Sequence, residues 1–399
     1  MKFYRPALLL AALSTLLGSS WAPVEAQSLE SVLSTLEYRE IGPTRQSGRF
    51  VDIAVPRQQP HTFYIATASG HLWKTVNRGI SFEVLFEQED VFSIGAIAVA
   101  PSDPSVLYLG SGEGNNSRSS YWGDGVYKST DSGETWSNVG LPESHHIGRI
   151  VIHPTNPDVV YAAALGHLYS ENDERGLYKT TNGGRSWQRV LGPKVEERRI
   201  GVVDVVMDPT NSDVLYAASY DKVRLPYTFD LGGPGSRLYK TSDGGDNWIQ
   251  IGQGLPEGML GRIGVDVYDA NPNILYVTIE NANKADMSDE DRRQELLDHM
   301  SSRGMIGGEV YRSDDGGITW DRASPEGQSI GGGPAYYYGQ VIIDPNDSDV
   351  VHVLSASSWG TSDAGETWDR RPLGFGGDDH ALWINPDDSE HMILGYDHG

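Results

Sequence analysis

Apolar positions in this chain come in short runs, each cut by a turn of proline, asparagine, aspartate or glycine, and not at the spacing of helical faces. Runs such as 150–152 and 203–207 end at the proline turns 154–157 and 209–212. A second run follows each turn and closes on an apolar or aromatic residue, as at Tyr108, Tyr161, Tyr216 and Tyr276. After a loop of variable length comes a third run of the type Gly125-Val126-Tyr127-Lys128, and a fourth begins at an aromatic residue. The pattern therefore predicts four antiparallel strands per repeat at a period of roughly fifty residues, which is one blade of a β-propeller. Strands apolar on both sides fit blades that bury each face against a neighbour.

Between the third and fourth strands an eight-residue pattern returns six times, at 75–82, 129–136, 180–187, 241–248, 313–320 and 361–368. It reads Ser/Thr, any, Asp/Asn, any, Gly, any, Ser/Thr/Asn, aromatic. Asp131 is placed to accept hydrogen bonds from the backbone just ahead of it, Gly133 supplies a positive φ, and the Thr135 hydroxyl closes the loop. By the same logic Asn77, Asp131, Asn182, Asp243, Asp315 and Asp363 have a structural role at hairpin corners. Trp136, Trp187, Trp248, Trp320 and Trp368 are expected to be buried where the outer strands begin.

The pattern resembles the Asp-box, or BNR repeat, of sialidases, of xyloglucan-active glycoside hydrolases of the two-propeller type, and of the sortilin (VPS10) propeller. The resemblance runs over about residues 38–399 and implies an all-β propeller of four-stranded blades, at least seven in the intact protein. Within that span the expectation is six complete blades and an incomplete seventh, with the chain stopping short of a third strand after 391–395. Residues 38–43 match the outer strand 248–253, so an N-terminal strand is expected to complete the last blade and cover its edge.

Residues 1–26 carry Lys2 and Arg5, an apolar run and Val24-Glu25-Ala26, the layout of a cleaved signal peptide, with a tail at 27–37. Export to the periplasm or the extracellular space follows, with no membrane insertion of the mature chain. The chain has no cysteine, so core packing without disulfides must hold it. A net charge of -24 argues against nucleic acid as a partner. No cofactor or metal is called for, and oligomeric state is left open.

The insertions fall at 111–124, 166–175, 219–237 and 281–308, on the loops expected at one face of the ring, and 286–302 has the spacing of a short helix. Glu113, Asn115, Asn116, Arg118, Tyr121 and Trp122 combine donors, acceptors and rings suited to a peptide or glycan, or form a self-satisfied loop. Arg49, His146, Arg149 and Arg262, with His145 and Arg199, begin inner strands and face the channel, either to receive a ligand carboxylate or to pair with channel carboxylates. Asp378, Asp379 and His380 are the candidates for acid and base. In xyloglucan-active enzymes the resemblance implies a catalytic Asp in a first-blade stretch like Arg-Thr-Asp-x-Gly-Gly. Here Ala66-Thr67-Ala68-Ser69-Gly70 stands there, with Ala68 at the Asp position. A mechanism that needs two carboxylates is thereby disfavoured. The expectation is a secreted, non-catalytic propeller that binds a peptide or carbohydrate, with a polysaccharide-acting glycoside hydrolase as the alternative.

Overall fold

The computed structural model describes residues 48–115, 120–225, 227–285, 305–331, 334–370 and 377–397. The leader at 1–26, the tail, the strand expected at 38–43, Asn116, Arg118 and the helix expected at 286–302 lie outside the described residues. The described chain is all-β apart from one short 3-10 turn, Pro142–Ser144.

Six four-stranded antiparallel sheets follow one another in chain order among the described residues. Their inner strands are Phe50–Ala54, Ile94–Ala100, Ile147–Ile152, Gly201–Met207, Leu260–Val267 and Gln340–Asp344. We number these blades 1 to 6. A two-stranded sheet, Asp379–Asn385 paired with Asp388–Tyr396, follows blade 6. Each inner strand packs on the next, and Asp379–Asn385 packs on both the blade 6 and the blade 1 inner strands, so the inner strands form a closed ring. Two small hairpins, Lys194–Val195 with Arg198–Arg199 and Val223–Leu225 with Thr228–Asp230, are added outside the blades.

Three devices join neighbouring blades. Two Asp-box tryptophans reach backwards: Trp187 Nε1 donates to Val139 O of blade 2 at 2.8 Å, and Trp368 Nε1 to Ala323 O of blade 5 at 2.7 Å. Tyrosines of the second strands reach forwards, with Tyr161 Oη on Gly244 O at 2.7 Å and Tyr216 Oη on Gly316 O at 2.9 Å, each in the next blade's box. Inner-strand aspartates pin ring neighbours: Asp52 accepts from the N–H groups of Ile53 and Ile97, Asp204 from Val205 and Val265, and Asp266 from Val267 and Ile343. Burial pushes the Asp266 carboxyl up to about 7.

The boxes themselves are built as the residues require. Asp131 accepts from Thr135 N at 2.9 Å, Thr135 Oγ1 at 2.6 Å and Ser129 Oγ at 2.7 Å. The turn needs two successive positive φ angles, not one: Ser132 (63°) precedes Gly133 (93°), and Ala364 (60°) precedes Gly365 (96°). The expectation for the tryptophans needs correction, because Trp320 and Trp368 are buried whereas Trp136, Trp187 and Trp248 are half-buried. Their rings lie along the outer edge of the preceding blade, where one side stays open to solvent.

Candidate active site

The loops that enter the inner strands bring distant residues together at the mouth of the ring. Arg49, just before the blade 1 inner strand, holds Glu113 with both ends of its fork, at 2.9 and 2.5 Å. Glu113 is fully buried, and its carbonyl also meets His146 Nδ1 at 2.8 Å. Burial lowers the Arg49 pKa, but the hydrogen bond and charge of Glu113 outweigh it and leave the guanidinium above its ordinary value. Arg149 pairs with Asp204 at 3.0 Å, and Arg199 with Asp173 at 2.9 Å. Among the expected ligand-binding arginines, Arg49 and Arg149 therefore sit in internal ion pairs. Arg262 is buried and donates to Asn115 Oδ1 at 2.9 Å. Burial also drives His146 down to about 3, so its imidazole is neutral at physiological pH.

From Asn115 the network runs to the end of the chain. Asn115 Nδ2 meets His380 Nδ1 at 3.2 Å, and His380 Nε2 meets Asp397 Oδ1 at 2.7 Å. Tyr337 Oη donates to the same Asp397 oxygen at 3.3 Å. Tyr338 stacks on the His380 ring with centroids 4.9 Å apart and donates its hydroxyl to Asp378. Burial raises the Asp397 carboxyl, but the His380 hydrogen bond and the charges of His380 and Arg49 outweigh it, so the group stays ionised below the usual carboxylate range. Its side chain keeps 26% of its surface exposed, which leaves it open to a ligand.

Two further carboxylates have an unused oxygen. Asp379 accepts from Ser358 Oγ at 2.5 Å through Oδ2, while its buried Oδ1 has no protein partner. Burial raises its pKa. Glu280, within the blade 5 second strand, has a partnerless buried Oε2, and burial pushes it up to about 7. It lies in the surroundings of Tyr220, which Arg262 also shares. Lys222, buried beside Arg175, Arg262 and Arg224, is held well below its ordinary value by burial first and by those cations second.

Beside this network lies a cavity of about 490 Å³, lined by Tyr121, Trp122, His145, His146, His167 and Tyr169 among others. Tyr121, Trp122 and Tyr169 are exposed, presenting flat rings at its rim. His146 joins the two regions, since it lines the cavity and contacts the Glu113 carbonyl.

Of the residues singled out from the sequence, Arg49, Glu113, Asn115, Arg262 and His380 belong to one connected network, and Asp378 and Asp379 stand beside it. Tyr121 and Trp122 line the cavity instead. Tyr337, Tyr338, Asp397 and Glu280 were missed. The signal for the tyrosines was available in Gly331-Gly332-Gly333-Pro334-Ala335-Tyr336-Tyr337-Tyr338, where aromatic residues interrupt a turn sequence just before an inner strand. Ala68 is fully buried and its N–H donates to Arg49 O at 2.9 Å, so the first-blade position is a packing position.

Comparison with known proteins bears on what this site does. The family model described as "Sortilin, neurotensin receptor 3" matches residues 124–300. A xyloglucanase from a Paenibacillus species is 24% identical over 304 residues, covering 69% of this chain and 26% of its own length. Xyloglucanase Xgh74A of Acetivibrio thermocellus is 24% identical over 315 residues, covering 71% of this chain and 32% of its own length. The chain thus spans about a third or less of these relatives. The crystal structure of the GH74 xyloglucanase from Xanthomonas campestris superposes with a TM-score of 0.61 at 18% identity, over 91% of this chain and 53% of that one. YCF48 bound to D1 peptide superposes with a TM-score of 0.52 at 14% identity, over 91% and 96%. The structural likenesses establish the propeller fold. The sequence relatives overturn the expectation of a non-catalytic binding module, because those aligned along seven-tenths of the chain are named as enzymes. Their names favour the alternative reading, a glycoside hydrolase.

Proposed function

The chain is an Asp-box β-propeller, and we propose that it acts as a glycoside hydrolase, on its own or as part of a longer enzyme, on a β-glucan of the xyloglucan class. The observation that supports this most directly is the set of xyloglucanase relatives that align over about seven-tenths of the chain. Export of the chain through residues 1–26 belongs to the same reading, since a polysaccharide substrate lies outside the cell. Among the described residues no helix is long and apolar enough to cross a membrane.

Glycoside hydrolysis needs one carboxyl that is protonated and one that is ionised. Ala68 supplies neither, so the chemistry must rest elsewhere. Asp397 suits the ionised role, being partly exposed and held below the usual range by His380 and Arg49. Glu280, raised to about 7 with a free oxygen, suits the acid. Arg262, Asn115 and His380 connect the surroundings of the two and hold the His380 ring that orients Asp397. Asp379, with its unused Oδ1, is the second candidate for the acid. The exposed rings of Tyr121, Trp122 and Tyr169 offer platforms for the apolar faces of sugars.

The test is release of reducing ends from soluble xyloglucan and other β-glucans by the purified chain. Asp397→Asn, Glu280→Gln and Asp379→Asn are assayed alongside, with circular dichroism to confirm folding. Turnover that falls at least about 100-fold in folded Asp397→Asn and in one of the two acid variants supports the proposal. Absence of turnover on every glucan overturns it. Because one propeller neighbour was solved with a peptide, peptides are included in the panel, and peptide capture without glycan turnover counts against the hydrolase.

A further inference from the structure

Outside the carboxylate network, His145 and His167 of the cavity wall between blades 2 and 3 meet the exposed Glu143, with ligand atoms from all three within 4.8 Å of one another. We propose that these side chains form a site for a divalent transition metal of the zinc type, which ties the loop after blade 2 to the long loop of blade 3. The donor set is two imidazoles and one carboxylate, which suits zinc and its neighbours and disfavours calcium or magnesium, which prefer all-oxygen shells. Three protein ligands leave a fourth position, and the adjoining cavity has room for a water or ligand oxygen there.

The supporting contacts aim these groups at one another. His167 Nε2 approaches Glu143 Oε2 at 3.1 Å while its other nitrogen, Nδ1, meets Ser170 Oγ at 2.9 Å. That is the arrangement in which an outer partner fixes a ligand imidazole. Asn172 clamps the two segments together: its Oδ1 accepts from His167 N at 2.9 Å and its Nδ2 donates to Glu143 O at 2.7 Å. Glu143 N donates in turn to Glu174 Oε2 at 2.8 Å. The His145 ring stacks on His167 with centroids 3.7 Å apart and an interplanar angle of 22°, so both nitrogens reach one ion once one imidazole turns out of the stack. His145 reaches this position with a φ of 52° and ψ of -37°, a conformation that L residues rarely adopt and that packing must sustain. Its backbone is held by Gly123 N donating to His145 O at 2.8 Å. Trp122 lies beyond His145 at 6.5 Å and 26°. Nothing here depends on the hydrolase reading.

The experiment uses the full chain without an affinity tag, stripped with a chelator and equilibrated with zinc chloride. Zinc per chain is measured by elemental analysis after dialysis, and the melting temperature is followed in parallel. The expected result is one retained equivalent and a melting temperature that rises with zinc concentration. His145→Ala and His167→Ala should lose the equivalent, and Ser170→Ala should weaken binding by roughly 10-fold through the outer contact. His61→Ala, on blade 1, should leave binding unchanged. If His145→Ala does not fold, His167→Gln and Glu143→Gln decide the matter. Failure of the native chain to retain zinc overturns the proposal, as does undiminished retention in folded His167 variants. Cobalt substitution adds a check, since a tetrahedral site with nitrogen ligands gives an intense visible absorption that a surface-bound ion does not.

Discussion

Four Asp-box carboxylates, those of Asp131, Asp243, Asp315 and Asp363, are held down to about 2. The leading cause is a hydroxyl donated from Thr135, Thr319 or Thr367, and for Asp243 the backbone N–H of Asn247. A carboxyl whose folded pKa lies below its unfolded value of about 3.9 contributes stability that is full above that value. The contribution is lost as pH falls through the folded value, so it should decline between about pH 4 and pH 2. Asn77 and Asn182 fill the same place through the same Oδ1 bonds, but Nδ2 donates to the Ser81 or Ser186 hydroxyl and there is no charge to titrate. Replacing the four aspartates by asparagine should flatten the acid limb of a urea-denaturation profile between about pH 4 and pH 2. An unchanged limb would locate acid sensitivity elsewhere, for instance in Asp397. The box turn also yields a test of strain. Ala364 occupies the left-handed region at φ 60° where blades 3 to 5 use glycine. Relief of about 1 to 2 kcal/mol in the folded state set against roughly 0.5 to 1 kcal/mol of added chain entropy gives Ala364→Gly a net stabilisation of up to about 1.5 kcal/mol. A denaturation midpoint that drops in this variant contradicts the account.

At the scale of elements, stability comes from contacts between consecutive blades, and these divide by how fully the ring or hydroxyl is enclosed. Trp320 and Trp368 are buried, so truncation to alanine should cost on the order of 3 to 5 kcal/mol. The same change at half-buried Trp136, Trp187 or Trp248 removes less enclosed surface and should cost visibly less under identical denaturation conditions. Tyr161→Phe keeps the ring and deletes only the bond to Gly244 O, so about 1 kcal/mol is expected. The strands and boxes were legible in the sequence because each is local: a box spans eight residues, and a Pro/Asn turn announces the end of its own strand. The extra positive φ at Ser132, Arg78 and Ala364 was not legible, since only glycine advertises that conformation and these residues do not. Crowding between inner strands was equally hidden. Gly148 is needed because a Cβ there would come within 2.4 Å of Val203 O, a neighbour set by the ring and not by sequence proximity.

The whole ring is what assembles the candidate site, which explains why so little of it could be read directly. Asn115 and His380 are 265 residues apart and Asn115 and Arg262 are 147 apart, yet one asparagine side chain bonds both. The sequence marked Arg49, Arg262 and His380 as channel-facing because inner strands begin there. It carried no sign that Glu113 would be consumed by Arg49, or that Asp397 would complete the His380 contact. The proposed roles of Asp397 and Glu280 make a prediction about rate against pH for the proposed hydrolysis. Glu280 acts as acid only while protonated, so kcat/KM should fall as pH rises through about 7. Asp397 acts only while ionised, and its pKa is displaced downward, so the acid limb should lie below the usual carboxylate range. Together these give a broad bell with its plateau in the mildly acidic region. Tyr337→Phe removes one hydrogen bond that favours the ionised form of Asp397 and should move the acid limb upward while leaving the alkaline limb in place. Glu280→Gln should abolish the alkaline limb with most of the rate. An alkaline limb that survives Glu280→Gln and disappears in Asp379→Asn would transfer the acid role to Asp379, whose burial also raises its pKa and whose Oδ1 is likewise unused.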